Sequence, residues 1–294
     1  MPAPGPAQQR QGPGAGAEPD GMIEVEAAAL SDPGPRRSTN EDCLGAHVPT
    51  DPLVRQRKGL LFALADGVGG QRGGDVASAT AVAALIEEYY SPSNHTRIEP
   101  ALRHAVQTAN LRVYTLGQQR AELRAMATTL SAVALAGAHA YVAHVGDSRV
   151  YLWRDGALTQ LTSDHSEAAE LVRMRLVKPE RLRDHPRRSV LTRALGEQLI
   201  VRPDFLRQPL QPGDQLLLCT DGLWAELNDA ELTQALGRCA PAEACRALVE
   251  AAIRRDCSDN LSVQIIRVQS VALEADAAPS RNGWLSSLLQ RAMG

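Results

Sequence analysis

Four aspartates stand where short apolar runs begin or end. Leu60-Leu61-Phe62-Ala63-Leu64-Ala65 leads into Asp66-Gly67, and Tyr141-Val142-Ala143-His144-Val145 leads into Gly146-Asp147. Gln215-Leu216-Leu217-Leu218-Cys219-Thr220 leads into Asp221-Gly222, and Asp259-Asn260 opens the run 261–268. Apolar runs of this length bounded by turn residues read as buried strands. Carboxylates at the ends of several such strands gather negative charge on one rim of a sheet. Two carboxylates ~4 Å apart repel by about 4 kcal/mol even at an effective dielectric of 20. A divalent cation removes that cost, so the pattern points to an oxygen-ligated metal centre. Oxygen donors suit Mg²⁺ or Mn²⁺ rather than zinc, which favours His and Cys. A single Asp-Gly is an ordinary turn; the argument rests on the recurrence.

The residues between these points supply the frame. A strand-like alternation starts at Met22-Ile23-Glu24-Val25, and residues 36–42 form a polar, turn-rich stretch. Val76, Ala79, Val82, Ala83 and Ile86 share one face of a helix over 75–90. Leu102, Val106, Ala109, Val113 and Leu116 do so over 100–119. Residues 128–136 and 140–145 read as paired strands, and Asp155-Gly156 marks a hairpin between 150–153 and 157–161. A strand over 216–220, helices over 228–236 and 241–255, and a last strand over 263–268 complete the order. The charged, weakly periodic stretch 163–190 interrupts it as a mobile flap.

Three regions follow: a disordered tail over 1–21, rich in Pro, Gly, Ala and Gln, a catalytic domain over 22–270, and a C-terminal tail over 271–294. In that last tail Trp284, Leu285, Leu288, Leu289 and Met293 make a short amphipathic segment, below the ~12–15 residues that hold an isolated helix. No apolar stretch approaches the length of a membrane span, and the opening residues lack the apolar region of a signal peptide. A net charge of -3 gives no reason to expect a nucleic-acid partner. The five cysteines, odd in number and without a C-x-x-C pair, argue against a disulfide framework and for a reducing, cytoplasmic setting.

Eight short motifs occur in order. They are Arg37-Ser38-Thr39-Asn40-Glu41-Asp42, Asp66-Gly67-Val68-Gly69-Gly70, Thr128-Thr129, and Gly146-Asp147-Ser148-Arg149. Then come Leu161-Thr162-Ser163-Asp164-His165-Ser166, Leu191-Thr192-Arg193-Ala194-Leu195-Gly196, Thr220-Asp221-Gly222-Leu223-Trp224, and Asp259-Asn260-Leu261-Ser262-Val263. Over about 22–268 the chain resembles the bacterial form of the metal-dependent Ser/Thr protein phosphatases of the protein phosphatase 2C type. The resemblance implies an α+β fold, a four-layer α/β/β/α sandwich of two antiparallel sheets with helices outside. It implies two Mn²⁺ or Mg²⁺ ions at one rim, and a weaker third, with a metal-bridging hydroxide attacking phosphoserine or phosphothreonine.

Carried over, Asp66 matches the bridging ligand, and the carbonyl of Gly67 a ligand of the second metal. Asp221 and Asp259 match the other ligands of the first, and Asp42 faces the second metal largely through water. Glu41 matches an outer acid, Asp147 the aspartate of the third metal, and Arg37 the arginine that grips substrate phosphate. The implied partners are phosphorylated proteins, a bacterial Ser/Thr kinase and its substrates among them, met by a monomer. Two departures stand out. Val68 replaces the histidine of many eukaryotic members, which leaves the proton donor open, and Ala225 replaces an acid of some relatives, which bears on the third metal.

Two other readings compete. Phosphoryl transfer through an aspartyl-phosphate on Asp66 usually wants an acid two residues on, where Val68 stands. A catalytically silent phosphoprotein-binding module tends to lose metal carboxylates, and here the set is complete. Arg149 and Arg193 are expected in internal ion pairs, His165 as a hydrogen-bonded structural residue, His144 in the core, and Asn260 fixing its own turn.

Overall fold

The computed structural model describes residues 22–68, 73–95 and 97–272. The first tail and the amphipathic segment 284–293 lie outside these residues. In chain order the elements are β1 Glu24–Asp32, β2 Asp42–His47, α1 Pro52–Lys58, β3 Leu60–Val68, α2 Gly74–Tyr90 and α3 Ile98–Gln119. They continue with β4 Ala127–Thr128, β5 Leu130–Ala136, β6 His139–Val145, β7 Arg149–Arg154, β8 Ala157–Gln160 and α4 Glu167–Arg173. The chain then forms β9 Asp204–Pro209, β10 Gln215–Cys219, α5 Asp221–Trp224, α6 Asp229–Arg238, α7 Pro241–Ile253 and β11 Leu261–Ser270.

Two antiparallel sheets result, one ordered β1-β11-β10-β7-β8 and the other β2-β3-β5-β6-β9, with the short β4 added beside β3. Strand alternation explains the layering. Leu61, Ala63 and Ala65 of β3 turn outward to a core shared with α2 and α3. Leu60, Phe62 and Leu64 turn inward and meet Val150, Leu152, Leu216, Leu218, Ile266 and Val268 of the other sheet. Leu217, Val263 and Ile265 face outward again, onto α6 and α7. The four-layer sandwich is therefore present. Each inward side chain buried this way contributes about 1.5–3 kcal/mol, and the layer between the sheets is the part no single element could bury alone.

Toward one rim that inner layer turns polar. The inward positions of β11 change from Val268 and Ile266 to Gln264 and Ser262, both buried. The same rim receives the start of β2, the end of β3, the β6–β7 turn, the end of β10 and the start of β11.

The expected helices and strands lie close to their sequence positions, with five additions. Helix α1, with Asp51 as N-cap and Pro52 at its start, and strand β9 come from stretches the periodicity does not mark. Strand β2 begins inside the stretch read as a polar turn, and the single turn α5 starts at Asp221. Segment 163–190 carries α4, capped by the Ser166 hydroxyl. It is anchored by a Ser166–Leu191 bridge and by Glu167 N–H donating to Val190 O at 2.9 Å. All five cysteines are free, as expected of a chain without a disulfide framework. No helix among the described residues is long and apolar enough to cross a membrane.

Candidate metal centre

Antiparallel pairing sets Asp42 of β2 directly opposite Asp66 of β3, so the two carboxylates share a face. Like charges opposite one another destabilise a ladder, and nothing in the two strands offsets them. Asp147 in the β6–β7 turn, Asp221 at the start of α5 and Asp259 just before β11 arrive from three other strand ends. Asp147 is buried, while Asp42, Asp66, Asp221 and Asp259 are partly buried.

Electrostatics ties the group together. Burial pushes the Asp66 carboxyl well above the usual carboxylate range, and Asp42, Asp221, Asp147 and Asp259 add to it. Burial raises Asp42 to about 7, Ser262 and Thr220 hydroxyls pull it back, and Asp221 and Asp259 push it up again. Asp221 is raised to about 6 by burial and by Asp259, against the Arg188 charge and the Ser189 hydroxyl. Asp147 is raised well above the ordinary value by burial, then by Asp221 and Asp164. Burial also raises Glu41, an effect countered by Arg37 and reinforced by Asp75 and Asp259.

The surrounding hydrogen bonds fix these residues in place. Thr220 Oγ1 donates to Asp42 Oδ2 at 3.1 Å, whereas Asp42 Oδ1 is buried with no hydrogen-bond partner. The Asp66 backbone is held on both sides: its N–H donates to Thr129 Oγ1 at 2.9 Å, and its carbonyl accepts from Thr129 N at 2.8 Å and Thr128 Oγ1 at 2.9 Å. At Gly67 a Cβ would stand 2.2 Å from Gly74 O and 2.6 Å from Glu41 O. Only glycine lets these backbone segments meet. A Cβ at Gly222 would likewise stand 2.1 Å from Asn260 O.

Asp259 is engaged differently. Its Oδ1 accepts from Asn260 N at 2.9 Å and its Oδ2 pairs with Arg37 Nη2 at 2.8 Å, while Arg37 Nε donates to Ser258 O at 3.2 Å. Asn260 does more than fix its own turn. Its Oδ1 accepts from Glu41 N, and its Nδ2 donates to Pro33 O and Thr39 O, both at 2.9 Å. That one side chain fastens the Arg37 loop to the Asp259 strand.

Among the described residues, no three His, Cys, Asp or Glu side chains converge tightly enough to hold an ion as they stand. The carboxylates share a field rather than a closed cage. The donor set nonetheless fits a hard divalent cation: every candidate is an oxygen, one carboxylate oxygen is buried without a partner, and no arginine or lysine reaches Asp42 or Asp66 at ion-pair distance among the described residues.

The residues given structural roles are found in them. Arg149 pairs with Asp164 at 2.7 Å, stacks 3.6 Å over Trp224 and donates to Tyr151 Oη. Arg193 pairs with Asp204 at 2.9 Å. His165 is buried, accepting from Gly146 N at Nδ1 and lying 3.2 Å from Asp204 at Nε2; burial lowers its pKa. His144 is buried on Ser131 Oγ. Sequence reasoning missed Ser262, Arg188 and Ser189. Ser262 had a faint signal, a small polar residue at an inward strand position; the other two sit in an ordinary-looking charged stretch.

The comparisons give the family. The family model described as protein phosphatase 2C matches residues 38–255. A putative protein phosphatase 2C-type from Streptococcus pyogenes is 34% identical over 254 residues, covering 85% of this chain and 100% of that relative. The serine/threonine protein phosphatase PstP of Mycobacterium tuberculosis is 36% identical over 248 residues, 84% of this chain and 45% of the relative, so the chain spans about half of that protein. Among solved structures, the PstP catalytic domain in complex with two manganese ions superposes with a TM-score of 0.74 at 33% identity, covering 85% of this chain and 100% of that one. The chain belongs to the protein phosphatase 2C family.

Proposed function

We propose that this chain is a metal-dependent protein phosphatase that hydrolyses phosphoserine and phosphothreonine, opposing a bacterial Ser/Thr kinase in the cytoplasm as a monomer. The observation that carries it is the rim itself. Five aspartates from five strand ends raise one another's pKa or share one field, and among the described residues only Asp259 has an arginine at ion-pair distance.

In this reading Asp66, Asp221 and Asp259 would hold one Mn²⁺ or Mg²⁺, and Asp66, the Gly67 carbonyl and Asp42 would serve the second. Asp147 serves a weaker third, and Glu41 is an outer acid beside Asp42. Two such ions, when bound, acidify a water for attack on phosphorus and neutralise charge on the phosphoryl oxygens. The chain's own residues do the rest. Thr128 and Thr129 hold the Asp66 backbone, and Thr220 binds one oxygen of Asp42 while the other stays buried without a partner. Asn260 keeps the Arg37 loop against Asp259. Arg37 has its Nε–Nη2 edge on Ser258 and Asp259, which leaves Nη1 to meet a phosphate oxygen.

The aspartyl-phosphate reading lacks its second acid, since exposed Val68 closes β3 two residues after Asp66. The silent-module reading lacks a lost ligand. Hydrolysis of a phosphothreonine peptide in Mn²⁺, its disappearance in chelator and its return on adding metal back is the expected result. Full turnover by protein shown by elemental analysis to be metal-free would overturn the assignment.

A further inference from the structure

The β6–β7 turn is held residue by residue, each by a different part of the chain. Gly146 N–H donates to His165 Nδ1 at 3.1 Å, and Gly146 O accepts from His165 N at 2.7 Å. Ser148 Oγ lies 2.7 Å from Thr129 Oγ1, and Arg149 sets its guanidinium on Asp164. Asp147 is taken by its carbonyl, which accepts from Trp224 Nε1 at 2.9 Å. Both residues are buried. The bond uses the backbone of Asp147 and neither of its carboxylate oxygens.

The element that supplies this bond carries a rim aspartate of its own. Helix α5 is a single turn with Asp221 at its first position and Trp224 at its last. Side chains three apart share a helix face. The turn thus bears one rim carboxylate and, beside it, the indole that fastens the backbone of a second. Among the charges around Asp147, that of Asp221 acts on it most, so the two carboxyls are neighbours. An indole offers one donor, fixed in the plane of a rigid ring. The Arg149 guanidinium lies 3.6 Å over that ring and is itself pinned by Asp164 and Tyr151, which holds the plane in place. Ala225, the next residue, adds no carboxylate. On this side of the rim a cation therefore meets Asp147 and Asp221 at the spacing that Trp224 sets.

We infer that Trp224 is a positioning residue for the weaker cation site, tying Asp147 to Asp221 through the Nε1–carbonyl hydrogen bond. This rests on the phosphatase reading above, and within it on Asp147 as the aspartate of the third cation. The indole does not touch the ion. It fixes the one turn on which Asp147 stands against the one turn on which Asp221 stands.

Trp224→Phe, which keeps a ring under Arg149 and loses the donor, tests it by calorimetric titration of Mn²⁺ beside the wild type and Asp147→Asn. Loss of a partner that orients a metal ligand weakens metal binding by about tenfold or more. The weaker class of Mn²⁺ sites in Trp224→Phe should weaken by about that factor while the tight pair changes less than twofold. The Mn²⁺ concentration for half-maximal turnover should rise in step, with KM for a phosphothreonine peptide unchanged. Unchanged weak binding with a lower melting temperature would make Trp224 a packing residue and overturn the inference. Equal weakening of the tight pair would overturn it too, by showing that the bond supports Asp221 rather than its spacing from Asp147. A second measurement needs no folded variant at position 224. In the wild type the Trp224 indole N–H resonance should move again as Mg²⁺ fills the weaker site, after the tight pair is loaded, and a resonance that stays fixed there would contradict the assignment. Weak binding that survives intact in Asp147→Asn would bring down the third-cation reading, and absence of metal-dependent hydrolysis in the wild type the phosphatase reading, each taking this inference with it.

Discussion

Asp164 and Asp66 sit in adjoining parts of one sandwich, and the fold treats them in opposite ways. Asp164 receives Arg149 Nε and Nη2, with Gln160 Nε2 on the same carboxylate at 3.0 Å. The guanidinium lies over Trp224, whose Nε1 donates to Asp147 O at 2.9 Å. Every polar group in that chain of contacts has a partner. Asp66 has its backbone fastened by two threonines and its carboxylate left among four other acids. Asp147 belongs to both regions, its carbonyl in the closed network and its carboxyl in the open field. Where this protein needs only a shape, it neutralises a buried acid from within. At the rim it holds the backbone rigid and leaves the charge to be met from outside.

Breaking the closed network has the largest expected effect. Arg149→Met leaves Asp164 buried beside no cation, and breaking such a pair from one side costs about 3–5 kcal/mol. Thermal unfolding should show a large fall in melting temperature, and a fall of less than a degree would erase the distinction between the regions. Asp66→Asn should do the reverse. Turnover falls by more than about a hundredfold, because even partners of metal ligands cost about 10–100-fold when lost. The metal-free protein melts no lower, and higher if repulsion dominates the rim. Parallel measurement of turnover and of melting in chelator checks both halves.

Arg37→Ala is a smaller change. Loss of one charge-assisted contact costs about 1.5–3 kcal/mol, or roughly tenfold to a hundredfold in kcat/KM. Metal content should hold, since Arg37 competes with a cation for Asp259 rather than supporting it. Elemental analysis beside peptide kinetics separates the two effects, and loss of metal would make Arg37 structural.

A pH trend in the metal-free state needs no substitution. Asp42 has a pKa of about 7 in the fold, against about 3.9 in an unfolded chain. Between those values the folded state keeps a proton that the unfolded state has released. Stability therefore falls as pH rises from about 4 to about 7 and levels off above that. Asp221, raised to about 6, adds to the slope over the lower part of the window. Melting curves in chelator across this range should decline by several degrees, and saturating Mn²⁺ should flatten the decline.

Much of this arrangement is legible in the sequence, and the reason differs by residue. Asp66, Asp221 and Asp259 were marked because each interrupts an apolar run, and the strand order makes all three strand ends meet. The Asp42–Asp66 register was hidden. Strand β2 has Gly45, Ala46 and His47 on a half-exposed edge, so it lacks the apolar signature that reveals β3. Strand β9, with Asp204, Arg207 and Gln208 on another edge, was hidden for the same reason. Asn260 was seen as a turn residue, but its partners Pro33 and Thr39 are more than two hundred residues away in sequence, and only the fold brings them near. Arg188 is the extreme case, since Arg187 beside it is paired with Glu167 and nothing in the sequence separates the two.

The central claim is that the rim leaves most of its carboxylates, Asp42 and Asp66 above all, without an ion pair in order to take divalent cations. Calorimetric titration of Mn²⁺ into chelator-stripped protein at neutral pH tests it most directly, with Asp66→Asn alongside. The account predicts saturable binding by the wild type, a rise in melting temperature in step with it, and marked weakening in Asp66→Asn. Absence of saturable binding, or equal binding by both proteins, would contradict it.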